Sequence, residues 1–160
     1  MSPLDSGAFT LAMWMRAPHL QWAAVAKRWD NQAGDLWLLS KKFPNTLFMS
    51  ISGTPSNGDA NVGREFATPI SGGEWMHVIV TYDQGIVRLY RGGLSDDGPI
   101  RGTIPGTLSG ALPPLSIGHR MYSGSIGSVL YYDRAVSSLE AQDIFCAFSA
   151  NPGSCPCNGP

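Results

Sequence analysis

The stretch that decides the fold runs from Glu74 to Arg91 and reads EWMHVIVTYDQGIVRLYR. Met76, Val78, Val80 and Tyr82 take every second position, and Val87 and Leu89 do so again after a break. In an extended chain a period of two puts such residues on one face, so two half-buried strands are predicted. Asp83-Gln84-Gly85 separates them, and the glycine suits the left-handed position of a three-residue hairpin loop. Gly92-Gly93 then forces a further turn.

The same period recurs outward from this hairpin. Phe9, Leu11, Met13 and Met15 alternate with Thr10, Ala12, Trp14 and Arg16 until Pro18 ends the run. Further strands are predicted over 22–29, 36–42, 46–52, 100–104, 115–118 and 124–133, with residues 53–63 and most of 94–114 as loop. One helix is expected. Ser137 and Glu140 have capping-box spacing, and Ala141, Ile144, Phe145 and Phe148 form an apolar stripe at i, i+3, i+4 and i+7. Short strands, frequent turn signals and one late helix imply an all-β antiparallel sandwich or barrel.

Composition narrows the function. The 160 residues suit one domain, here assigned to residues 1–149, with a Pro/Gly/Cys-rich tail over 150–160. Charged residues are 14%, against ~25% in an average domain, so Ser, Thr, Asn, Gly and Gln must cover much of the surface. The net charge of −1 comes without a basic stripe, which removes the electrostatic footprint of a nucleic-acid partner. No apolar stretch reaches the ~18 residues of a membrane span. Residues 1–5 lack the basic start of a signal peptide, so either the protein is cytosolic or a leader lies outside this chain.

Three segments, in order, resemble laminin-G-like domains. The run Phe9 to Arg16 is similar to their opening strand. Gly73-Glu74-Trp75-Met76-His77-Val78 through Thr81-Tyr82-Asp83 to Arg88-Leu89-Tyr90 resembles their central hairpin. Leu115-Ser116-Ile117-Gly118, with Gly124-Ser125-Ile126 through Tyr132-Asp133-Arg134-Ala135-Val136-Ser137, resembles their closing strand and turn. The resemblance implies a concanavalin A-like jelly roll of two antiparallel sheets. It implies an extracellular module of a larger protein that binds carbohydrate or protein, often with calcium. The chain departs from the pattern twice. Bacterial members begin with residues that supply an edge strand, whereas this pattern starts almost at Met1. An edge left open is a pairing site, which admits a homodimer. Many relatives carry a carboxylate pair after the Gly-x-Ile step, where this chain has Gly127 and Ser128; calcium at that place would lose its hard oxygen ligands.

Catalysis finds little support. Glycoside hydrolysis generally needs two carboxylates flanking one bond. Of Glu65, Glu74 and Glu140, none has an aspartate two residues on, and Asp96-Asp97 reads as a solvated turn. No nucleophile elbow, P-loop or dinucleotide fingerprint occurs. His19, His77 and His119 lack metal spacing, and His77 is expected on the sheet surface.

Aromatic residues are the better candidates, because sugar C–H groups stack on flat rings while the hydroxyls need polar neighbours. Trp14 and Trp75 are assigned to the core or its margin. Trp22, Trp29 and Trp37 are the ligand-binding candidates, Trp29 and Trp37 because Asp30-Asn31-Gln32 and Asp35 lie beside them; the plain alternative is that all three cover the sandwich edge. His119, Arg120 and Tyr122 form a second candidate rim, where Arg120 could grip a carboxylate or sulfate. Asn57, Asp59 and Asn61 could ligate calcium, although such residues also favour turns. In an oxidising compartment Cys146 could bridge to Cys155 or Cys157. The expectation is a non-catalytic carbohydrate-binding module. A structural or protein-interaction domain is the alternative, and a glycosidase a distant third.

Overall fold

A computed structural model describes residues 7–17, 23–28, 37–42, 45–51, 62–108, 114–118, 122–149 and 155. Its elements are β1 (Ala8–Arg16), β2 (Ala23–Arg28), β3 (Trp37–Lys42), β4 (Thr46–Ile51), β5 (Gly63–Phe66), β6 (Trp75–Asp83), β7 (Ile86–Arg91), β8 (Leu94–Ser95), β9 (Asp97–Arg101), β10 (Ser116–Ile117), β11 (Ser125–Tyr132) and α1 (Ser138–Phe148). One sheet has the order β11-β1-β6-β7-β8 and the other β10-β2-β3-β4-β5-β9, with antiparallel pairing between neighbours. This is the antiparallel two-sheet sandwich expected from the alternation.

The period of two explains the core. Phe9, Leu11, Met13 and Met15 of β1 pack with Met76, Val78, Val80 and Tyr82 of β6 and Val87 and Leu89 of β7. Val25, Leu39, Leu47 and Met49 face them from the six-stranded sheet. Each such side chain contributes ~1.5–3 kcal/mol when fully buried. Shifting β1 by one residue would exchange this apolar set for Thr10, Trp14 and Arg16, so the register is strongly specified.

The opposite face of the five-stranded sheet carries a second, smaller core. Ala12, Ile79 and Tyr90 meet Val136 and Ala141 of the helix and its approach, with Ile144 packed against them. Close approach depends on small residues. A side chain at Gly93 would lie 3.1 Å from Gln142 Cα, and its φ of +78° also favours glycine. The capping box forms as predicted: the Ser137 hydroxyl accepts from the Glu140 amide at 3.2 Å, and the Glu140 carboxylate accepts from the Ser137 amide at 2.8 Å. Arg134 also grips that carboxylate at 2.6 Å; first this ion pair and then the Ser137 amide hold the glutamate pKa down to about 2. Thr10, wholly buried, joins β1 to the same segment. Its hydroxyl donates to the Arg134 carbonyl at 2.7 Å and accepts from the Val136 amide at 3.0 Å.

Four local expectations need correction. The central hairpin turns on two residues, Gln84 (φ +45°) and Gly85 (φ +87°), and Asp83 pairs with Ile86. Positive φ at both positions matches the right-handed strand twist better than the three-residue loop. Gly63 to Phe66 forms β5, a strand not predicted, which begins at the last residue of the stretch read as loop; the four residues carry too few apolar side chains to show a period. The strand expected over 100–104 begins earlier, at Asp97. Asp96 and Asp97 are not solvated. Asp96 is buried, accepts from the Thr68 amide and hydroxyl at 3.0 and 2.5 Å, and pairs with Arg91 at 3.2 Å. Asp97 pairs with Arg64 and Arg88 and accepts from the Leu89 amide at 2.7 Å. The Asp97 carboxylate takes the place of a backbone partner for Leu89 of β7, and that of Asp96 does so for Thr68.

Candidate functional site

Register builds the site on the helix-bearing face of the five-stranded sheet. Trp14 of β1 pairs with His77 of β6 on one side and with Gly127 of β11 on the other. One step along, Arg16 pairs with Trp75 and with Ser125. The two indoles are therefore diagonal cross-strand neighbours, about 7–8 Å apart at the backbone. Helix α1 covers the rows beyond, ending with Phe145 over His77 and Trp14, at ring-centroid distances of 5.5 and 5.9 Å.

Trp14 is held tightly. Its indole meets His77 edge-on at 5.3 Å, and its N–H donates to the Phe148 carbonyl at 3.1 Å. Trp75 stands out from the sheet at 48% exposure, with the Arg16 guanidinium 5.9 Å from its ring centroid. The expectation that both belong to the core or its margin is therefore wrong for Trp75. Alternation placed it on the outer face, but the helix stops short of its row. Phe148, expected to close the helical stripe against the sheet, is instead 43% exposed beside the indoles.

Two depressions share Trp14 and Trp75 as a common wall. One, of about 350 Å³, is completed by Gly127, Ser128 and Phe148. The other, of about 280 Å³, reaches Ser71, Glu74, His77 and Gly92. The first owes its floor to a β-bulge. Between Ala12 and Trp14 the facing strand moves from Leu130 to Gly127, one residue extra, and Ser128 takes a left-handed φ of +48°. A Cβ added at Gly127 would meet nothing within 4 Å, so that floor is open. In the second depression the Ser71 hydroxyl donates to Glu74 at 2.7 Å.

His77 is placed on the outer face as expected but is not a surface residue. Its ring is 2% exposed, and neither nitrogen has a hydrogen-bond partner. Burial under Phe145 and Trp14 lowers its pKa from 6.5 to about 4, so it is neutral at physiological pH.

Trp22, Trp29, Asn57, Asp59, Asn61, His119, Arg120 and Cys157 lie outside the described residues. Trp37 opens β3, opposite Arg28 and Ile51, on the other sheet. Tyr122 packs against the main core, and its hydroxyl lies 3.1 Å from the Arg16 carbonyl and 3.2 Å from the Ser125 carbonyl. Burial raises its pKa, with the Arg16 carbonyl acting in opposition. Cys146 and Cys155 are bridged, with Cα atoms 5.4 Å apart; Cys146 is two residues before Phe148. Among the described residues no three His, Cys, Asp or Glu side chains gather as metal ligands, and no helix is long and apolar enough to cross a membrane.

Comparison with known proteins places this geometry. Residues 1–142 match the family model described as the concanavalin A-like lectin/glucanases superfamily. No curated protein sequence matches the chain. Among solved structures the chain is similar to the heptameric SAP-like pentraxin from Limulus polyphemus, with a TM-score of 0.66 and 15% identity over 92% of this chain and 73% of that one. It is similar to botulinum neurotoxin type C, which depends upon interaction with two ganglioside molecules to enter cells (TM-score 0.61, 16% identity, 89% of this chain and 36% of that one). A candidate carbohydrate binding protein from Bacteroides ovatus is also similar (TM-score 0.58, 17% identity, 83% of this chain and 39% of that one). The chain thus spans most of the pentraxin but little more than a third of the other two.

Proposed function

This chain belongs to the concanavalin A-like lectin/glucanase superfamily, and from that premise we propose that it is a non-catalytic module binding carbohydrate through the Trp14–Trp75 face. The observation that carries this is an exposed Trp75 beside a rigidly held Trp14, bordered by Ser71, Glu74, Arg16 and Ser128. Flat rings offer apolar stacking, and the surrounding hydroxyls and charges offer partners for sugar hydroxyls. Ligands named for proteins of similar fold, among them gangliosides, agree with this reading. Fold alone does not carry it, because function lives in the site.

A hydrolase is disfavoured by what the carboxylates already do. Glu65 is paired with Arg101 at 2.7 Å, Glu140 caps α1, and Asp96 and Asp97 are locked into ion pairs. Among the described residues Glu74 borders the site without a second carboxylate lining it. Two facing carboxylates are what glycosidases generally require. Calcium bound through Asn57, Asp59 and Asn61 is compatible with this role. So is an extracellular setting, where the Cys146–Cys155 bridge would persist.

Thermal unfolding across a panel of soluble polysaccharides, with and without calcium, tests the proposal. A ligand bound only by the folded state raises apparent stability. A saturable rise with one glycan, lost in Trp75→Ala, is expected. No rise with any glycan would favour the second reading, an interaction domain. One observation supports that reading: among the described residues β11 pairs with β1 alone, which leaves an edge for a second copy, with Val129 37% exposed beside it.

A further inference from the structure

We propose that the Trp14–Trp75 face is an extended groove that takes the interior of a neutral sugar chain, at least two residues long, in two adjoining subsites. This rests on the carbohydrate reading of the same face.

The arrangement of the two depressions motivates it. Gly127, Trp14 and His77 are direct cross-strand neighbours on β11, β1 and β6, so the depressions are strung across three strands. At the usual strand spacing that row spans about 10 Å. Volumes of about 350 and 280 Å³ lie near and just below the bottom of the range for small-ligand sites, so each suits one small unit. The same two indoles wall both. An aromatic ridge shared by two hollows fits successive rings of one chain better than one terminal sugar. The bulge at Ser128 opens one end, and the segment carrying Ser71 and Glu74 bounds the other.

Charge selects the class of chain. Glu74 and Arg16 border the ridge with opposite signs, Arg91 is offset by Asp96, and His77 is neutral. Among the described residues no excess of either sign remains to recruit an acidic or basic sugar, and a uronic acid in the second subsite would face Glu74 beside an Arg91 already paired with Asp96. Stacking on two indoles calls for sugars with flat C–H faces, as in equatorially linked hexoses and pentoses.

Isothermal titration with cello-, manno- and xylo-oligosaccharides of one to six residues tests this, with oligogalacturonides as the acidic series. Affinity is expected to rise at least tenfold from one residue to two or three in a neutral series and then level off. Gly127→Phe is the decisive variant, because the position is open and its backbone unstrained. It should return long chains to within a few-fold of the monosaccharide while leaving the unfolding midpoint unchanged. Gly127→Leu serves if the phenylalanine variant does not fold. A monosaccharide bound as tightly as a trisaccharide, no effect of either variant on long chains, or tighter binding of the acidic series would each overturn the groove and leave the carbohydrate reading intact. Silence from every glycan would overturn both.

Discussion

Replacing His77 by phenylalanine should remove an acid sensitivity built into the sheet–helix seam. In the folded chain the imidazole lies beneath Phe145 and Trp14 with neither nitrogen bonded, and its pKa is about 4 rather than 6.5. The unfolded chain therefore holds this proton between those values and the folded chain does not. Stability from this group is complete above pH 6.5, falls as the pH drops toward 4, and is level below. At ~1.4 kcal/mol per pH unit the loss amounts to roughly 3 kcal/mol. The variant should also gain about 1–3 kcal/mol at pH 7, because two buried unpaired polar atoms are gone. Urea unfolding of both proteins from pH 3.5 to 8 supplies the test. His19, His119 and the carboxylates are common to both, so the difference between the curves isolates His77. Parallel curves across pH 4–6.5 would refute the burial argument, and His77→Leu controls for the size of the phenyl ring.

Other substitutions probe how the face is assembled. Thr10→Val strips the buried hydroxyl that bonds the Arg134 carbonyl and the Val136 amide, and should cost ~2–3 kcal/mol in chemical denaturation. Ser137→Ala removes the cap of α1 and should cost about 1 kcal/mol, measured in the same way. Gly63→Ala should prevent stable folding, because its Cβ would overlap the Met49 carbonyl of the neighbouring strand at a φ of +149°. Soluble yield and far-UV circular dichroism report that outcome.

The parts of this molecule legible in its sequence are those governed by local periodicity. The core face of β1 and β6 follows from alternation, and the start of α1 follows from the Ser137–Glu140 spacing. Less legible were features set by partners far along the chain. Asp96 and Asp97 look like turn residues until Thr68, Arg64, Arg88 and Arg91 close around them. The site illustrates the same limit. Alternation put Trp14, His77 and Trp75 on one outer face, but nothing local says how far α1 covers it. Only the tertiary fit buries His77 and leaves Trp75 in solvent. A signal was nevertheless present: an outer strand face bearing two tryptophans, beside a strand whose Gly127-Ser128 step is too small to cover them.

The measurement closest to the central claim is glycan binding by the wild-type chain and by Trp75→Ala, compared at equal foldedness. Trp75 is exposed and contributes little to the core, so the variant should unfold within ~1 kcal/mol of the wild type. At least one neutral glycan should stabilise the wild type saturably, and the folded variant should lose that stabilisation. Equal stabilisation of both proteins would contradict the assignment of the site, and stabilisation of neither would contradict carbohydrate binding itself.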